Sequence, residues 1–179
     1  NEVGFERKHV DALCQVGKST KKKSKGYIGE KGIGFKSVFK VTDCPHIISN
    51  GFQFCLPKED EESGLGYIVP TWLRHIPSRI NPHETTIILP LQPDKILDVT
   101  EAFSNIAPET ILFLKKLKTI IIKNTLPNTK HINCKIEKDI DERSTRSSVI
   151  TLHFSGEING EEQERVYRYW LYCKSYEKP

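Results

Sequence analysis

Residues 28 to 37 read Ile-Gly-Glu-Lys-Gly-Ile-Gly-Phe-Lys-Ser, a glycine-rich turn followed by apolar residues at helical spacing. The turn contains three glycines, Gly29, Gly32 and Gly34. Because glycine has no side chain, backbone N–H groups in such a turn can approach phosphate oxygens, and the dipole of a following helix adds partial positive charge. Lys31 and Lys36 add full charges nearby. The pattern predicts an anion-binding turn that opens a short helix over residues 32–41, although a turn that needs only positive φ angles would also explain the glycines.

Two other phosphate-binding motifs do not account for these glycines. The tripeptide Gly17-Lys18-Ser19 resembles the end of a P-loop, but Ala12 stands where that motif requires its first glycine. A dinucleotide-binding fingerprint would need its third glycine at position 37, which is Ser37. Both motifs are therefore excluded.

The segment that precedes the glycine turn is basic. Residues 18–27 are rich in Lys, Ser and Thr without apolar periodicity, which predicts a solvated loop. The lysines of this run are Lys18, Lys21, Lys22, Lys23 and Lys25. Because no aromatic residues are interleaved with them, the run favours a solvated surface over a nucleic-acid-binding patch. Further upstream, the spacing of apolar residues predicts a helix over residues 5–16.

The sequence that follows residue 41 is typical of β structure interrupted by one helical region. Strands are predicted at residues 45–49, 51–56, 66–69, 84–91, 118–123, 132–136, 148–154 and 164–174. The first two flank Asn50-Gly51, a dipeptide that favours a tight hairpin turn. Residues 93–117 are predicted to be mostly helical, with a break near Ala107-Pro108.

Three segments of the chain resemble the GHKL superfamily, which groups DNA gyrase, the ninety-kilodalton heat-shock chaperone, histidine kinases and MutL. Residues 28–41 closely resemble the second glycine box of that superfamily. Residues 1–5 are similar to the remainder of the first glycine box, with Glu2 in place of the middle glycine. Residues 84–89 are similar to the strand whose threonine supports the adenine site. Within the superfamily, residues 1 to about 91 look most similar to the sacsin and No Vein group.

This resemblance implies an α+β fold, a two-layer α/β sandwich of Bergerat type in which helices cover a mixed, mostly antiparallel sheet, followed by a β-rich segment. The expected nucleotide-binding domain spans residues 1–125 and lacks the helix, called the N-box, that the family places upstream of its first glycine box. Residues 126–179 are expected to form the β-rich segment, interpreted as the start of a second domain. Because the module is one part of a very long polypeptide in the sacsin and No Vein group, we expect the chain to be a fragment.

The resemblance also implies a function, that of an ATP-binding module in a chaperone-like ATPase or conformational switch. Its cofactors would be ATP or ADP and Mg²⁺, with the Mg²⁺ ligand upstream of this chain. The implied nucleotide-binding residues are Asn1, Gly4, Phe5, Lys18, Ser19, Gly29, Lys31, Gly32, Ile33, Gly34, Phe35 and Thr85. Gly4, Phe5 and Thr85 would line the adenine side, and Phe35 has core packing as its alternative role.

ATP hydrolysis in this superfamily uses a carboxylate and an asparagine on the upstream helix. A general base must lie within hydrogen-bond reach of the attacking water, so an arbitrary acid cannot replace that carboxylate. We interpret Glu30 as a solvent-facing turn residue, assign no catalytic residue, and expect this chain alone to be inactive. Two other functions stay open: a degenerate, non-hydrolysing scaffold for protein interactions, and a nucleic-acid-binding β-rich domain. The latter would use the aromatic residues Tyr167, Tyr169, Trp170 and Tyr172. Aromatic residues that alternate in this way along a strand more often pack in the hydrophobic core than form a stacking platform.

Composition restricts the class of protein. The chain is 37% hydrophobic and 28% charged, with no apolar run long enough to span a membrane. Its cysteines are Cys14, Cys44, Cys55, Cys134 and Cys173. They lack zinc-ligand spacing, which predicts reduced thiols in an intracellular protein, cytoplasmic or nuclear, with no metal site. A net charge of +4 is mild, so the expected partners are a nucleotide and protein clients rather than nucleic acid or membrane.

Overall fold

The chain divides into two compact units, residues 1–96 and residues 97–179. In a computed structural model, the described residues are 4–15, 34–58, 66–114, 116–144 and 147–172. Each unit contains one sheet of four strands. The domain boundary expected near residue 125 remains a prediction.

The sheet of the first unit is antiparallel and has the order β3-β2-β1-β4. Its strands are β1 His46–Ser49, β2 Phe52–Cys55, β3 Thr71–Trp72 and β4 Thr86–Ile88. Asn50 and Gly51 connect β1 to β2 with φ angles of +48° and +84°, the left-handed values that a two-residue hairpin turn requires. The predicted hairpin is therefore confirmed. The strand predicted at residues 66–69 is wrong, since those residues form a turn before β3.

Two short helices pack on one face of this sheet. Helix α1, Arg7–Leu13, begins with a reciprocal capping box in which Glu6 and His9 satisfy each other's backbone N–H groups. The helix predicted after the glycine turn is present as a 3₁₀ helix, Phe35–Lys40. Buried residues of the core beneath these helices are Val10, Ile47, Phe54 and Leu56. The alternation of side chains along β1 and β2 explains this core, because Ile47 lies directly opposite Phe54 and both project to the helix side.

Short helices span the end of the first unit and the start of the second, which continues as a long meander. Pro93–Lys95 and Pro108–Ile111 are 3₁₀ helices, and α2 spans Ile96–Ser104, so the predicted break near Ala107-Pro108 is confirmed. The strands are β5 Thr119–Asn124, β6 Ile132–Ser144, β7 Ser147–Ile158 and β8 Glu161–Tyr172, paired antiparallel in chain order. Inward-facing side chains form the core, with Ile111, Ile122, Ile132, Cys134, Ile136, Ile150, Leu152 and Phe154 buried.

The expected α+β sandwich of Bergerat type, with helices covering a mixed sheet, is wrong. Among the described residues 41% are in strands and 21% in helices, and each unit is built on its own antiparallel sheet. The longest described helix, α2, has nine residues, too few to cover a four-stranded sheet. Prolines at 93 and 108 open 3₁₀ helices and divide the region that was predicted to be mostly helical. The period-two pattern after residue 131 instead extends into three long strands.

The aromatic residues of β8 divide between two environments. Tyr167 and Tyr169 pack against the core of the second unit, as the alternation predicted. Trp170 and Tyr172 project from the opposite face and are 64% and 74% exposed, so the expectation of core packing is wrong for these two. None of the helices in the described ranges has the length and apolar character needed to cross a membrane.

Candidate functional site

Three distant parts of the chain meet at the end of β1. The backbone N–H of Phe5 donates a hydrogen bond to Ser49 Oγ at 2.9 Å. Ser49 Oγ lies 2.6 Å from Thr85 Oγ1, so the two hydroxyls share a second hydrogen bond. Ser49 is fully buried, whereas Thr85 is half-buried. The structure thus connects Phe5, in the segment that resembles the first glycine box, to Thr85, in the segment that resembles the adenine-site strand. Ser49, which lies in neither segment, makes the connection.

A second contact fastens the same segment to the hairpin turn. Asn50 Nδ2 donates to the carbonyl oxygen of Phe5 at 3.1 Å. Gly4 adopts a φ of +77°, and a Cβ at this position would lie 2.6 Å from Asn50 Cβ. Gly4 is therefore required twice, by its left-handed backbone and by the close approach of the Asn50 side chain. We refer to Gly4, Phe5, Ser49, Asn50 and Thr85 as the junction cluster.

The strand register explains why the junction cluster forms. Ile48 lies opposite Thr86 in the pairing of β1 with β4, so the next residue of β1, Ser49, faces Thr85 just before β4 begins. Ser49 shares its face of the sheet with Ile47, the helix side, because side chains alternate along a strand. Sequence reasoning missed Ser49 and Asn50. The signal available for them was the Asn-Gly turn, whose tight geometry determines which residues end the two strands.

The aromatic side chains that the resemblance placed at the nucleotide are part of the hydrophobic core. Phe5 and Phe35 both pack against the buried cluster around Ile47 and Phe54. Core packing, the alternative weighed for Phe35, is therefore the environment observed.

A positively charged cleft follows the glycine turn. It has a volume of about 380 Å³ and is lined by Lys36, Phe39, Lys40, Tyr67 and Ile68. Lys36 Nζ donates to the carbonyl oxygen of Tyr67 at 2.6 Å and lies 5.8 Å from the centre of the Phe39 ring. Burial lowers the pKa of Lys36, because removing an ammonium group from water disfavours its charged form. The charge expected beside the turn is present, but this lysine already has a backbone partner.

Seven of the expected nucleotide-binding residues lie outside the described residues. They are Asn1, Lys18, Ser19, Gly29, Lys31, Gly32 and Ile33. Among the described ones, Gly4, Phe5 and Thr85 meet in the junction cluster. Gly34 caps the 3₁₀ helix at a φ of −58°, and no described atom would lie within 4 Å of a Cβ added there. The residues expected on the adenine side are thus neighbours, and nucleotide binding on both the adenine side and the phosphate side stays a prediction.

Replacing Gly4 by alanine should destabilise the first unit by about 2 kcal/mol, since the change combines left-handed strain with a steric overlap. Gly51→Ala is the matched control, because Gly51 has a similar φ of +84° but no described atom would lie within 4 Å of its added Cβ. That control should cost about 1 kcal/mol, the left-handed term alone. Urea unfolding measures both changes. Equal losses in the two variants would show that the Asn50 contact contributes nothing.

Comparison with known proteins supports the resemblance over the first part of the chain. Residues 1–60, which contain Gly4, Phe5, Ser49 and Asn50, match the Sacsin domain family. The chain is 38% identical to Protein NO VEIN of Arabidopsis thaliana over an alignment of 148 residues, which covers 72% of the chain and 5% of that protein. It is 38% identical to human Sacsin (Homo sapiens) over 56 residues, 31% of the chain and 1% of that protein.

No solved structure matches the chain. The chain corresponds to a small fraction of the length of both relatives, 5% of Protein NO VEIN and 1% of Sacsin. The family match and the two relatives agree with each other, and the matched residues 1–60 include residues 28–37. They support the sacsin and No Vein group as the one to which this chain is similar, with a sacsin-like domain at its beginning.

Proposed function

We propose that the first unit is an ATP- or ADP-binding module of the GHKL type, acting in a larger sacsin-like or No Vein-like protein as a chaperone-like ATPase or conformational switch. The adenine would lie at the junction cluster, and the phosphates at the backbone of residues 29–35. The observation that carries this proposal is the pair of hydrogen bonds from Phe5 through Ser49 to Thr85. It brings together two segments that were assigned to one adenine site from their sequences alone.

The hydrogen-bond inventory of the junction cluster leaves one proton for a ligand. A hydroxyl donates one hydrogen bond and accepts two. Ser49 Oγ accepts from the Phe5 N–H and is fully buried, so its own proton is satisfied when it is donated to Thr85 Oγ1. The half-buried Thr85 then retains its O–H as a donor. An adenine ring nitrogen, directly or through a water, is an acceptor suited to this position.

The metal partner of the nucleotide has no ligand set in the described residues. Mg²⁺ prefers oxygen ligands in octahedral geometry. The one described group of three potential metal-binding side chains contains two cysteines and a histidine, which do not fit that preference. In the proposed module, the asparagine of the upstream helix implied by the resemblance would hold Mg²⁺, and hydrolysis would require that helix as well.

Thr85→Val should weaken ADP and ATP binding about 3- to 10-fold, the effect of losing one hydrogen bond of about 1 kcal/mol. Thr85→Ser keeps the hydroxyl and should bind like the unaltered chain. Thr86→Val is the matched control, since Thr86 is the next residue of the same strand and projects to the other face of the sheet. Isothermal titration calorimetry with nucleotide up to millimolar concentration, on the chain extended to include the implied upstream helix, measures the affinities.

Absence of binding at millimolar nucleotide would contradict the proposed function. Equal weakening in Thr85→Val and Thr86→Val would contradict the placement of adenine at the junction cluster, while leaving nucleotide binding itself supported.

One sequence feature favours a second function, a non-hydrolysing scaffold for protein interactions: Glu2 stands where the first glycine box has its middle glycine. Mg²⁺-dependent ATP turnover by the extended chain would exclude that scaffold.

A further inference from the structure

A cluster of two cysteines and one histidine lies on the first sheet. The potential ligand atoms of Cys44, His46 and Cys55 are all within 4.8 Å of one another. Cys55 is 8% exposed, and the other two side chains are half-buried. We call these three residues the Cys-His cluster. It is the one group of this kind in the ranges that the structure describes.

The sheet register brings these side chains together. His46 lies directly opposite Cys55 in the pairing of β1 with β2, so the two project from the same face. Cys44 lies in the bend two residues before His46, and its sulfur atom is within 4.8 Å of the other two potential ligand atoms. The Leu56 N–H donates to the Pro45 carbonyl oxygen at 3.1 Å, which extends the pairing past His46 and holds the backbone beside Cys44. Two members of the cluster are thus held by strand pairing and the third by the bend that leads into β1.

The Cys-His cluster and the junction cluster lie on opposite faces of the sheet. Ser49 shares the helix side with Ile47 and Phe54, whereas His46 and Cys55 alternate with those residues. The adenine site proposed above therefore makes no use of the Cys-His cluster, and an explanation for the latter must be sought separately.

We propose that Cys44, His46 and Cys55 bind one Zn²⁺ ion, whose fourth coordination position is open to water or to an external ligand. Two thiolates and an imidazole are a ligand set that Zn²⁺ commonly uses. Zn–S bonds of about 2.3 Å in a tetrahedron place two sulfur atoms about 3.8 Å apart. The donor atoms therefore need to approach one another by about 1 Å at most, a shift within the reach of side-chain rotation.

The two thiols of the cluster are available as ligands. Both Cys44 and Cys55 are free thiols in this structure. A coordinated metal ion removes the thiol proton, because its charge stabilises the thiolate directly. A bound Zn²⁺ would link β1 to β2 and strengthen the sheet that carries the junction cluster.

Cobalt provides a direct test, because Co²⁺ replaces Zn²⁺ in tetrahedral sites and absorbs visible light when thiolates bind it. The metal-free chain under reducing conditions is titrated with Co²⁺ and then with Zn²⁺. We expect thiolate–cobalt absorption that saturates at one ion per chain and disappears when one equivalent of Zn²⁺ is added. Native mass spectrometry should then show a single bound zinc. The absence of both the absorption and the zinc adduct would overturn the proposal.

Three variants identify the ligands. Cys44→Ser and His46→Gln should each weaken Zn²⁺ binding at least about 10-fold, measured by competition with a chromophoric chelator. Cys14→Ser is the matched control, since Cys14 is a half-buried thiol on the other side of the sheet and should leave the affinity unchanged. Equal affinity in His46→Gln and the unaltered chain would overturn the three-ligand site, as would equal loss in Cys14→Ser.

Two further readouts keep the test decisive. Circular dichroism of each metal-free variant checks that it folds, and if Cys44→Ser does not, His46→Gln together with the cobalt titration decides the question. The intact mass of the chain, purified in air without metal, should show the thiols unchanged. A mass lower by two hydrogens that maps to Cys44 and Cys55 would indicate a disulfide between them. If the chain purified under reducing conditions also takes up no zinc, the metal site is overturned in favour of that disulfide.

Discussion

Gly156→Ala should destabilise the second unit by about 3 kcal/mol or more, one of the two largest effects we expect from a single substitution. Gly156 lies within β7 opposite Cys134 of β6, at a φ of +149°. A Cβ at this position would lie 2.4 Å from the carbonyl oxygen of Asn133 and 2.4 Å from the Cα of Cys134. Because both neighbours are backbone atoms of a paired strand, relief requires β6 and β7 to separate locally.

Gly160→Ala is the control for Gly156→Ala. Gly160 lies in the turn between β7 and β8 at a φ of +85°, and no described atom would lie within 4 Å of an added Cβ. Its replacement should cost about 1 kcal/mol from left-handed backbone strain alone. Thermal and urea unfolding compare the two changes. A loss at Gly156 no greater than that at Gly160 would show that β6 and β7 absorb the added methyl group without strain.

Lys138→Ala should also destabilise the second unit, by about 3 kcal/mol, because it removes two hydrogen bonds of a buried ammonium group together with the packing of its apolar stem. Lys138 projects inward from β6 and is only 2% exposed. Its Nζ donates to the carbonyl oxygens of Ile111 at 3.0 Å and Leu114 at 2.5 Å. Ile111 ends the 3₁₀ helix Pro108–Ile111, a position where a cation is favourable, and Leu114 follows three residues later. Burial lowers the pKa of this lysine, as expected for a desolvated ammonium group.

Two further variants separate the contributions of Lys138. Lys138→Met keeps most of the apolar stem but not the donor, so it should remain destabilised by at least about 1 kcal/mol. Lys135→Ala is the matched control on the same strand, since Lys135 pairs with Glu137 at the surface and should cost at most about 0.5 kcal/mol. Urea unfolding at neutral pH gives all three values. Full stability in Lys138→Met would mean that the carbonyls find water instead.

Local signals in the sequence predicted individual elements well. The Asn50-Gly51 turn was recognisable because few dipeptides adopt two consecutive left-handed conformations without strain. The strands after residue 131 were recognisable from short apolar runs joined by polar turns, and they proved longer than expected. The fold class was not recognisable in this way, since it depends on how much of each sheet the helices cover. The helices of the described ranges are too short for the expected sandwich.

The candidate site was predicted in part. Gly4, Phe5 and Thr85 were selected from motif resemblance, and the structure places them together. Ser49, the residue that connects them, carries no signal of its own, because serine before a turn is common. The Cys-His cluster was missed for a related reason. Its third ligand, Cys55, comes from the neighbouring strand, so the spacing along the chain differs from that of familiar zinc motifs.

The amino-acid sequence by itself determined the hairpin turn at Asn50-Gly51 and the alternation of the strands, because each depends on backbone preferences and side-chain periodicity within a few residues. The glycine turn at residues 28–37 stays a prediction of the same local kind. Only the tertiary structure decided which distant side chains became neighbours. Ser49 meets Thr85, and His46 meets Cys55, through strand register. A shift of one residue would turn these side chains to the opposite face of the sheet. Register is set by packing of the whole core, and no short stretch of sequence contains that information.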